Sequence, residues 1–326
     1  MIGGATEGAP GPRARVATLT LHPALDQTVT LERLTPGAVH QAEGMRFDAG
    51  GKGVNVAAFL ADAGVTVAAT GLLGEDNAAA FTALFAAKGI EDQFVRVPGT
   101  TRINVKLVET SRRETTDINL PAARAPVEAL DELDRRVLAL AERCAWFVLA
   151  GSVPAGVPPD VYADIIARLR ARGCRVAVDT SGAPLAHALS AAPDLAKPNR
   201  AELEQLVGEP LPTLAEVARA ARDLRRRGPR LVVVSMGAEG ALFTGEEGAW
   251  LARPPAVGVA TTVGAGDALV AGLVASLLRG DGLEQAARRA TAFAAAKVGR
   301  VGPHLGPADA VRALEARVDV HSFRED

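Results

Sequence analysis

The strongest constraint on this chain is a set of short runs that are apolar at almost every position. Residues 145–150, Arg175–Asp179 and Leu231–Ser235 are β-rich and barely alternate with polar residues. A strand of that kind has to be covered on both faces, which is the situation of a parallel sheet packed between helices. The intervening segments supply those helices. Segment 160–172 places Val161, Ile165, Ile166 and Leu169 on one face and stops at Gly173. Segment 213–227 opens with Thr213 and Glu216 in capping-box spacing and stops at Gly228. The arginines at 168, 170, 172, 225, 226 and 227 fall in last helical turns, where they complement the helix dipole rather than form a nucleic-acid surface.

The first 125 residues are less regular. Residues 15–21 read as the first strand, and helices are expected over 54–63 and 77–88, ending at Gly64 and Gly89. Two stretches, 27–49 and 93–120, are β-branched, polar and punctuated by Gly and Pro; they read as antiparallel strands. Such strands interrupting a βα series suggest a small sheet standing off the main one, as a lid over the carboxyl ends of the parallel strands, where open α/β folds bind ligands. The expected organisation is a tail at residues 1–14, without the apolar stretch of a signal peptide, and one domain over 15–326.

Composition narrows the partners. With 36 Lys and Arg against 38 Asp and Glu, the net charge of -2 offers no global field for nucleic acid or an anionic membrane. The apolar stretch 268–278 is too short to span a bilayer. Cys144 and Cys174 each border an apolar run and read as buried thiols, which fits a reducing cytoplasm. Any anionic ligand must therefore be held by local groups.

Five local patterns offer such groups. Thr261-Thr262-Val263-Gly264-Ala265-Gly266-Asp267 precedes an apolar helix. Small residues let backbone amides converge on an anion at the helix start, and Asp267 would lie beside it as a proton acceptor. It is neither a dinucleotide fingerprint nor a Walker A loop: position 269 is Leu, and no Lys-Ser/Thr follows. Gly50-Gly51-Lys52-Gly53-Val54-Asn55 likewise leads into a helix, with Lys52 and Asn55 as polar handles. Alternation over 101–107 puts Arg102, Asn104 and Lys106 on one face of a lid strand, suited to a phosphate or to an edge guarded by charge. Lys197-Pro198-Asn199 with Glu202 marks another helix start, where Asn199 is also an ordinary cap and Glu202 is within reach of a hydrated metal. Ser235, Gly237 and Gly240 form a turn between strands.

The order of these motifs resembles the ribokinase-like (PfkB) sugar kinases from about residue 15 to 323. That resemblance implies a three-layer α/β/α core, a β-sheet lid that also mediates a homodimer, and use of ATP with Mg²⁺. Within the family, Leu21-His22-Pro23-Ala24-Leu25-Asp26, the 101–107 segment with Thr116-Asp117, and the closing 316–319 are most similar to the bacterial 1-phosphofructokinase branch. The implied reaction is phosphorylation of fructose 1-phosphate at its 6-hydroxyl. Tagatose-6-phosphate and fructose-6-phosphate kinases are the alternatives within the family, and a catalytically silent sugar-phosphate sensor is the alternative outside enzymes. By the resemblance, Asp267 is the base and Gly264, Ala265 and Gly266 the anion hole. Asp26, Gly50, Gly51, Lys52, Asn55, Arg102, Asn104, Lys106 and Ser152 bind the sugar phosphate. Lys197, Asn199, Glu202, Ser235, Gly237, Gly240 and Thr262 serve the nucleotide, with Glu202 meeting Mg²⁺ through water. His22 stands where the family usually has Asn, Ala268 where Ser is frequent after the catalytic Asp, and Ala150 and Ala260 where polar residues are common.

Overall fold

The computed structural model describes residues 15–112, 114–121 and 124–324; the expected tail lies outside them. The first third contains β1 (Arg15–Thr20), β2 (Ala24–Leu31), β3 (Gly44–Gly50), α1 (Lys52–Asp62), β4 (Val67–Gly74), α2 (Ala79–Lys88), β5 (Glu91–Val97), β6 (Ile103–Glu109) and β7 (Glu114–Asn119). The middle continues with α3 (Val127–Ala141), β8 (Cys144–Ala150), α4 (Val161–Ala171), β9 (Arg175–Asp179), α5 (Gly182–Ser190), β10 (Leu195–Ala196), α6 (Arg200–Val207) and α7 (Leu214–Arg226). The remainder is β11 (Leu231–Ser235), β12 (Ala241–Gly245), β13 (Gly248–Arg253), α8 (Ala265–Leu278), α9 (Leu283–Val298), α10 (Ala308–Glu315) and β14 (Asp319–Phe323).

The large sheet runs β14-β13-β12-β11-β10-β9-β8-β1-β4-β5. It is parallel from β5 through β11 and antiparallel over the last three strands. The apolar runs explain themselves in the packing. On β8, Trp146, Val148 and Ala150 enter the core shared with α1, α8 and α9, while Phe147 and Leu149 enter the core shared with α3, α4 and α7. Both faces are thus inside, and alternation has no polar face to mark. At α7 both bonds of the anticipated capping box form: Glu216 N donates to Thr213 Oγ1 at 3.3 Å, and Thr213 N donates to Glu216 Oε2 at 2.9 Å. Cys144 and Cys174 are both buried, as expected. Among the described residues, no helix is long and apolar enough to cross a membrane.

The small sheet, in order β3-β2-β6-β7, differs from expectation in two respects. First, β5 falls in the 93–120 stretch assigned to the lid, yet it pairs parallel with β4 at the edge of the large sheet. Its polar pattern is that of an edge, while Phe94 is buried and stacks on Phe85 of α2, with centroids 5.6 Å apart. Second, β2 and β6 pair parallel, not antiparallel. They directly follow β1 and β5, which run in the same direction, so the chain leaves the large sheet twice in one sense. The lid's two faces are distinct. Asp26, Thr28, Arg46, Asp48, Lys106 and Asp117 line a cavity against the core, whereas Met45, Phe47 and Ile118 are exposed on the other side.

Candidate active site

Three helix starts converge at the carboxyl edge of the parallel strands. At α1, Gly51 is the N-cap with φ 120°, a value that disfavours L side chains, and a Cβ there would lie 3.1 Å from Pro23 Cα. This close passage sets Lys52 and Asn55 on the first turn facing the end of β9. Lys52 Nζ lies 2.8 Å from Asp179 Oδ1 and 4.0 Å from Glu202 Oε1. Burial opposes its charge, but Asp179, Glu202 and Asp267 outweigh that and hold its pKa above the ordinary lysine value.

At α8 the cap is Gly264, with φ 82° in the left-handed region. A Cβ at this position would sit 3.1 Å from Lys297 Cε, so a larger residue meets both backbone strain and the α9 lysine. The first helical bond runs from Ala268 N to Gly264 O at 2.9 Å, which leaves the Gly266 and Asp267 amides at the open helix start. The Ala265 amide instead donates to Thr262 O at 3.3 Å. Of the three residues expected to form an anion hole, Ala265 therefore contributes an amide that already has a partner.

Asp267 is buried, 6% exposed. Asn55 Nδ2 donates to its Oδ2 at 2.8 Å. Burial pushes its carboxyl up to about 6, helped by the charge of Asp179 and opposed by the Asn55 hydrogen bond, Lys52 and Lys197. A buried carboxylate with a raised pKa at a helix start is chemically a proton acceptor poised near neutral pH.

Two cavities meet beside this group. One, of 490 Å³, lies under the lid and includes Asp26, Asn55, Lys106, Thr261 and Lys297. The other, of 610 Å³, is lined by Ser235, Gly237, Gly240, Pro255, Leu269 and Ala294 among others, and is mainly apolar. Val259 and Thr262 line both. A cavity lined with charged side chains and an apolar one, joined just ahead of a helix N-terminus, can hold two substrates with an anionic group between them.

The model of the pfkB family carbohydrate kinases matches residues 20–309. The chain belongs to this family. It is 48% identical over 310 residues to a 1-phosphofructokinase of Rhodobacter capsulatus, covering 95% of this chain and 98% of that one. It is 52% identical over 281 residues to a 1-phosphofructokinase of Xanthomonas campestris pv. campestris, covering 85% and 88%. Among solved structures, Escherichia coli phosphofructokinase-2 in complex with substrates and products superposes with a TM-score of 0.88 at 30% identity, covering 93% of this chain and 99% of that one.

Against that family frame, the anticipated residues fall into three groups. Asp26, Gly50, Asn55, Asn104 and Lys106 come together as expected: Asn104 Nδ2 donates to Asp26 Oδ1 at 3.1 Å, and Lys106 Nζ pairs with Asp26 Oδ2 at 3.0 Å. A Cβ on Gly50 would lie 3.0 Å from Asp26 Oδ2. Lys197, Asn199, Glu202, Ser235, Gly237, Gly240 and Thr262 gather on the other side of the α8 start. Lys197 Nζ is 3.4 Å from Asp179 Oδ1, and Ser235 N donates to Pro198 O at 3.1 Å. Asn199 and Glu202 form a full capping box, so Asn199 is a helix cap.

Arg102 is the exception. Expected on one face with Asn104 and Lys106, it precedes β6 and turns away from the lid cavity. Its guanidinium donates to Pro23 O at 3.3 Å and His22 O at 3.4 Å, and it lines a separate cleft of 60 Å³ with His22, Thr101, Arg124 and Pro154. The two carbonyls at the β1–β2 corner draw it there before strand alternation begins at Ile103. Ser152 lies beside this cleft, 2.8 Å from His22 Nδ1.

Two further residues at the candidate site escaped the sequence reading. Asp179 is 1% exposed and joins Lys52 to Lys197; an Asp ending an otherwise apolar strand was the available signal. Lys297 is 4% exposed beside Gly264, its amine donating to Arg300 O at 2.9 Å, and burial lowers its pKa. A Lys in a last helical turn looks like any dipole-complementing residue, so nothing in the sequence distinguished it.

Proposed function

We propose that this chain transfers the γ-phosphoryl group of ATP to the 6-hydroxyl of fructose 1-phosphate, giving fructose 1,6-bisphosphate and ADP. The observation that carries the reading is the buried Asp267 carboxylate, hydrogen-bonded to Asn55 of the lid cavity and next in the chain to Gly266 of the apolar one. The identity of the curated relatives supports the substrate.

In this reading the sugar lies under the lid, with its hydroxyls toward Asp26, Asn104, Gly50 and Gly51. Lys106 is already paired with Asp26, which makes it a hydroxyl ligand more than a phosphate ligand. Arg102, whose hydrogen-bond partners among the described residues are backbone carbonyls, keeps its charge for the 1-phosphate, beside Ser152. Asp267 takes the proton of the 6-hydroxyl as that oxygen attacks in line. Asn55 holds one carboxylate oxygen in place, and the Gly266 and Asp267 amides at the α8 start, with Lys52, offset the charge of the transferring group. The adenine occupies the apolar cavity near Gly237 and Gly240, and Lys197, Asn199, Ser235 and Thr262 line the nucleotide's path.

A magnesium ion bound to a triphosphate keeps several waters and asks for only one or two protein carboxylates. Glu202 fits that demand: its carboxylate caps Asn199 N on one side and stands 4.0 Å from Lys52 on the other. It would hold the ion through water, and the ion would supply charge neutralisation on the phosphates. The exposed outward face of the lid, with Met45, Phe47 and Ile118, suits a lid-mediated homodimer.

The test is ADP release with MgATP and fructose 1-phosphate, fructose 6-phosphate or tagatose 6-phosphate. A kcat/KM favouring fructose 1-phosphate by at least roughly a hundredfold supports the assignment, since reversing the end that carries the charge leaves the half-buried Arg102 unpaired. Preference for a 6-phosphate would keep the Asp267 chemistry and overturn the substrate. No turnover with any of them would favour a silent sensor.

A further inference from the structure

His22 sits in the Leu21–Pro23 corner between β1 and β2, where its ring has an unusual set of partners. Nδ1 lies 2.8 Å from Ser152 Oγ. Nε2 is buried and finds no hydrogen-bond partner among the described residues. The His22 and Pro23 carbonyls both accept from Arg102, at 3.4 and 3.3 Å. The backbone beside Ser152 is held separately: Gly151 N donates to Asp179 O at 2.9 Å, and Tyr162 Oη donates to Gly151 O at 3.2 Å. Ser152 itself is exposed, so what remains to be set is the direction of its hydroxyl.

The charge state and tautomer of His22 decide that direction. Burial, and then the Arg102 charge, push the imidazole down to about 4, so it is neutral at working pH. A neutral ring carries one proton. If that proton were on Nε2, a buried N–H would go unpaired and Nδ1 would consume the Ser152 hydroxyl proton. With the proton on Nδ1, only a lone pair is left unpaired at Nε2, which is the more tolerated defect. Ser152 Oγ then accepts from the ring and keeps its own O–H for an outside acceptor.

We propose that His22 is a positioning residue whose Nδ1–H locks the Ser152 hydroxyl as a donor toward the phosphate of the sugar substrate, next to Arg102. This rests on the reading of Ser152 and Arg102 as the phosphate end of the site. His22 thereby combines two tasks in one residue: its carbonyl helps aim the arginine, and its ring aims the serine.

The test is steady-state kinetics with fructose 1-phosphate and MgATP on His22→Ala, His22→Asn, Ser152→Ala and the His22→Ala/Ser152→Ala double variant. One neutral hydrogen bond corresponds to roughly a tenfold change. His22→Ala should raise the phosphosugar KM about tenfold while kcat and the MgATP KM stay within about twofold. His22→Asn, whose amide N–H reaches the position of Nδ1–H, should recover most of the loss. In the Ser152→Ala background, His22→Ala should add less than about twofold. Ser152→Ala with a raised KM but His22→Ala without one overturns the proposal and leaves the site reading standing, as does full additivity of the two. Ser152→Ala without effect removes the reading of Ser152, and the proposal falls with it.

Discussion

Replacing Asp267 by Asn should make this protein more stable and nearly inactive at once. The carboxyl is driven up from 3.8 to about 6 chiefly by burial. Each pKa unit corresponds to about 1.4 kcal/mol, so the ionised form costs the fold about 3 kcal/mol relative to the protonated form. Because the folded pKa lies above the unfolded one, the stability from a protonated Asp267 is fully present below about pH 4 and is lost as pH rises through about 6. Asn has the same shape and never ionises, and its amide oxygen still accepts from Asn55 Nδ2. At pH 8 the variant should therefore unfold at a temperature higher by roughly 5 °C, a gain that shrinks to nothing near pH 4. Its turnover should fall by ~10²–10⁴-fold, the usual cost of losing a positioned base, with ATP binding unaffected. Wild-type kcat should decline as pH drops through about 6, in step with protonation of Asp267. Thermal scans at the two pH values and ADP-release kinetics read both effects. An equal gain in stability at pH 4 and pH 8 would refute the burial argument, and turnover within tenfold of wild type would refute the base assignment.

Two further outcomes follow from the same geometry. Asp179→Asn removes the carboxylate shared by Lys52 and Lys197; it should destabilise the fold by about 3 kcal/mol and move the acid limb of the pH–kcat profile to lower pH, because the charge of Asp179 helps raise Asp267. An unmoved limb in a folded variant would show that Asp179 does not tune the base. Thr213→Ala breaks a capping box on α7, remote from both cavities; chemical denaturation should report a loss of about 1 kcal/mol with unchanged kcat and KM, and altered kinetics would mean that the site extends further than described.

How much of this was legible beforehand varied with how local the cause was. The capping box at Thr213, the cap at Asn199 and the glycine stop at Gly89 depend on a few adjacent residues, and the pattern carries them directly. The parallel core was equally readable, because a strand such as β8 feeds two cores and has to be apolar throughout. The polar edge strand β5 was misassigned to the lid because an edge and a lid strand share the same solvated pattern. Arg102 was grouped with Lys106 for a related reason: alternation states which face a strand residue takes, and Arg102 comes before the strand.

The sequence by itself determined the fold class, the caps at Thr213 and Asn199, and the residue types gathered at Gly50–Asn55 and Gly264–Asp267, since each follows from residues close together in the chain. Only the tertiary structure decided how those groups act. Asp179, Lys197 and Lys52 come from three separate segments of the chain, and their charges reach one another across a buried junction. The Asp267 carboxyl is raised to about 6 because the elements packed around it exclude water. Desolvation and charge coupling are properties of what surrounds a residue in space, and that surrounding is assembled from segments as far apart as Asn55 and Asp267.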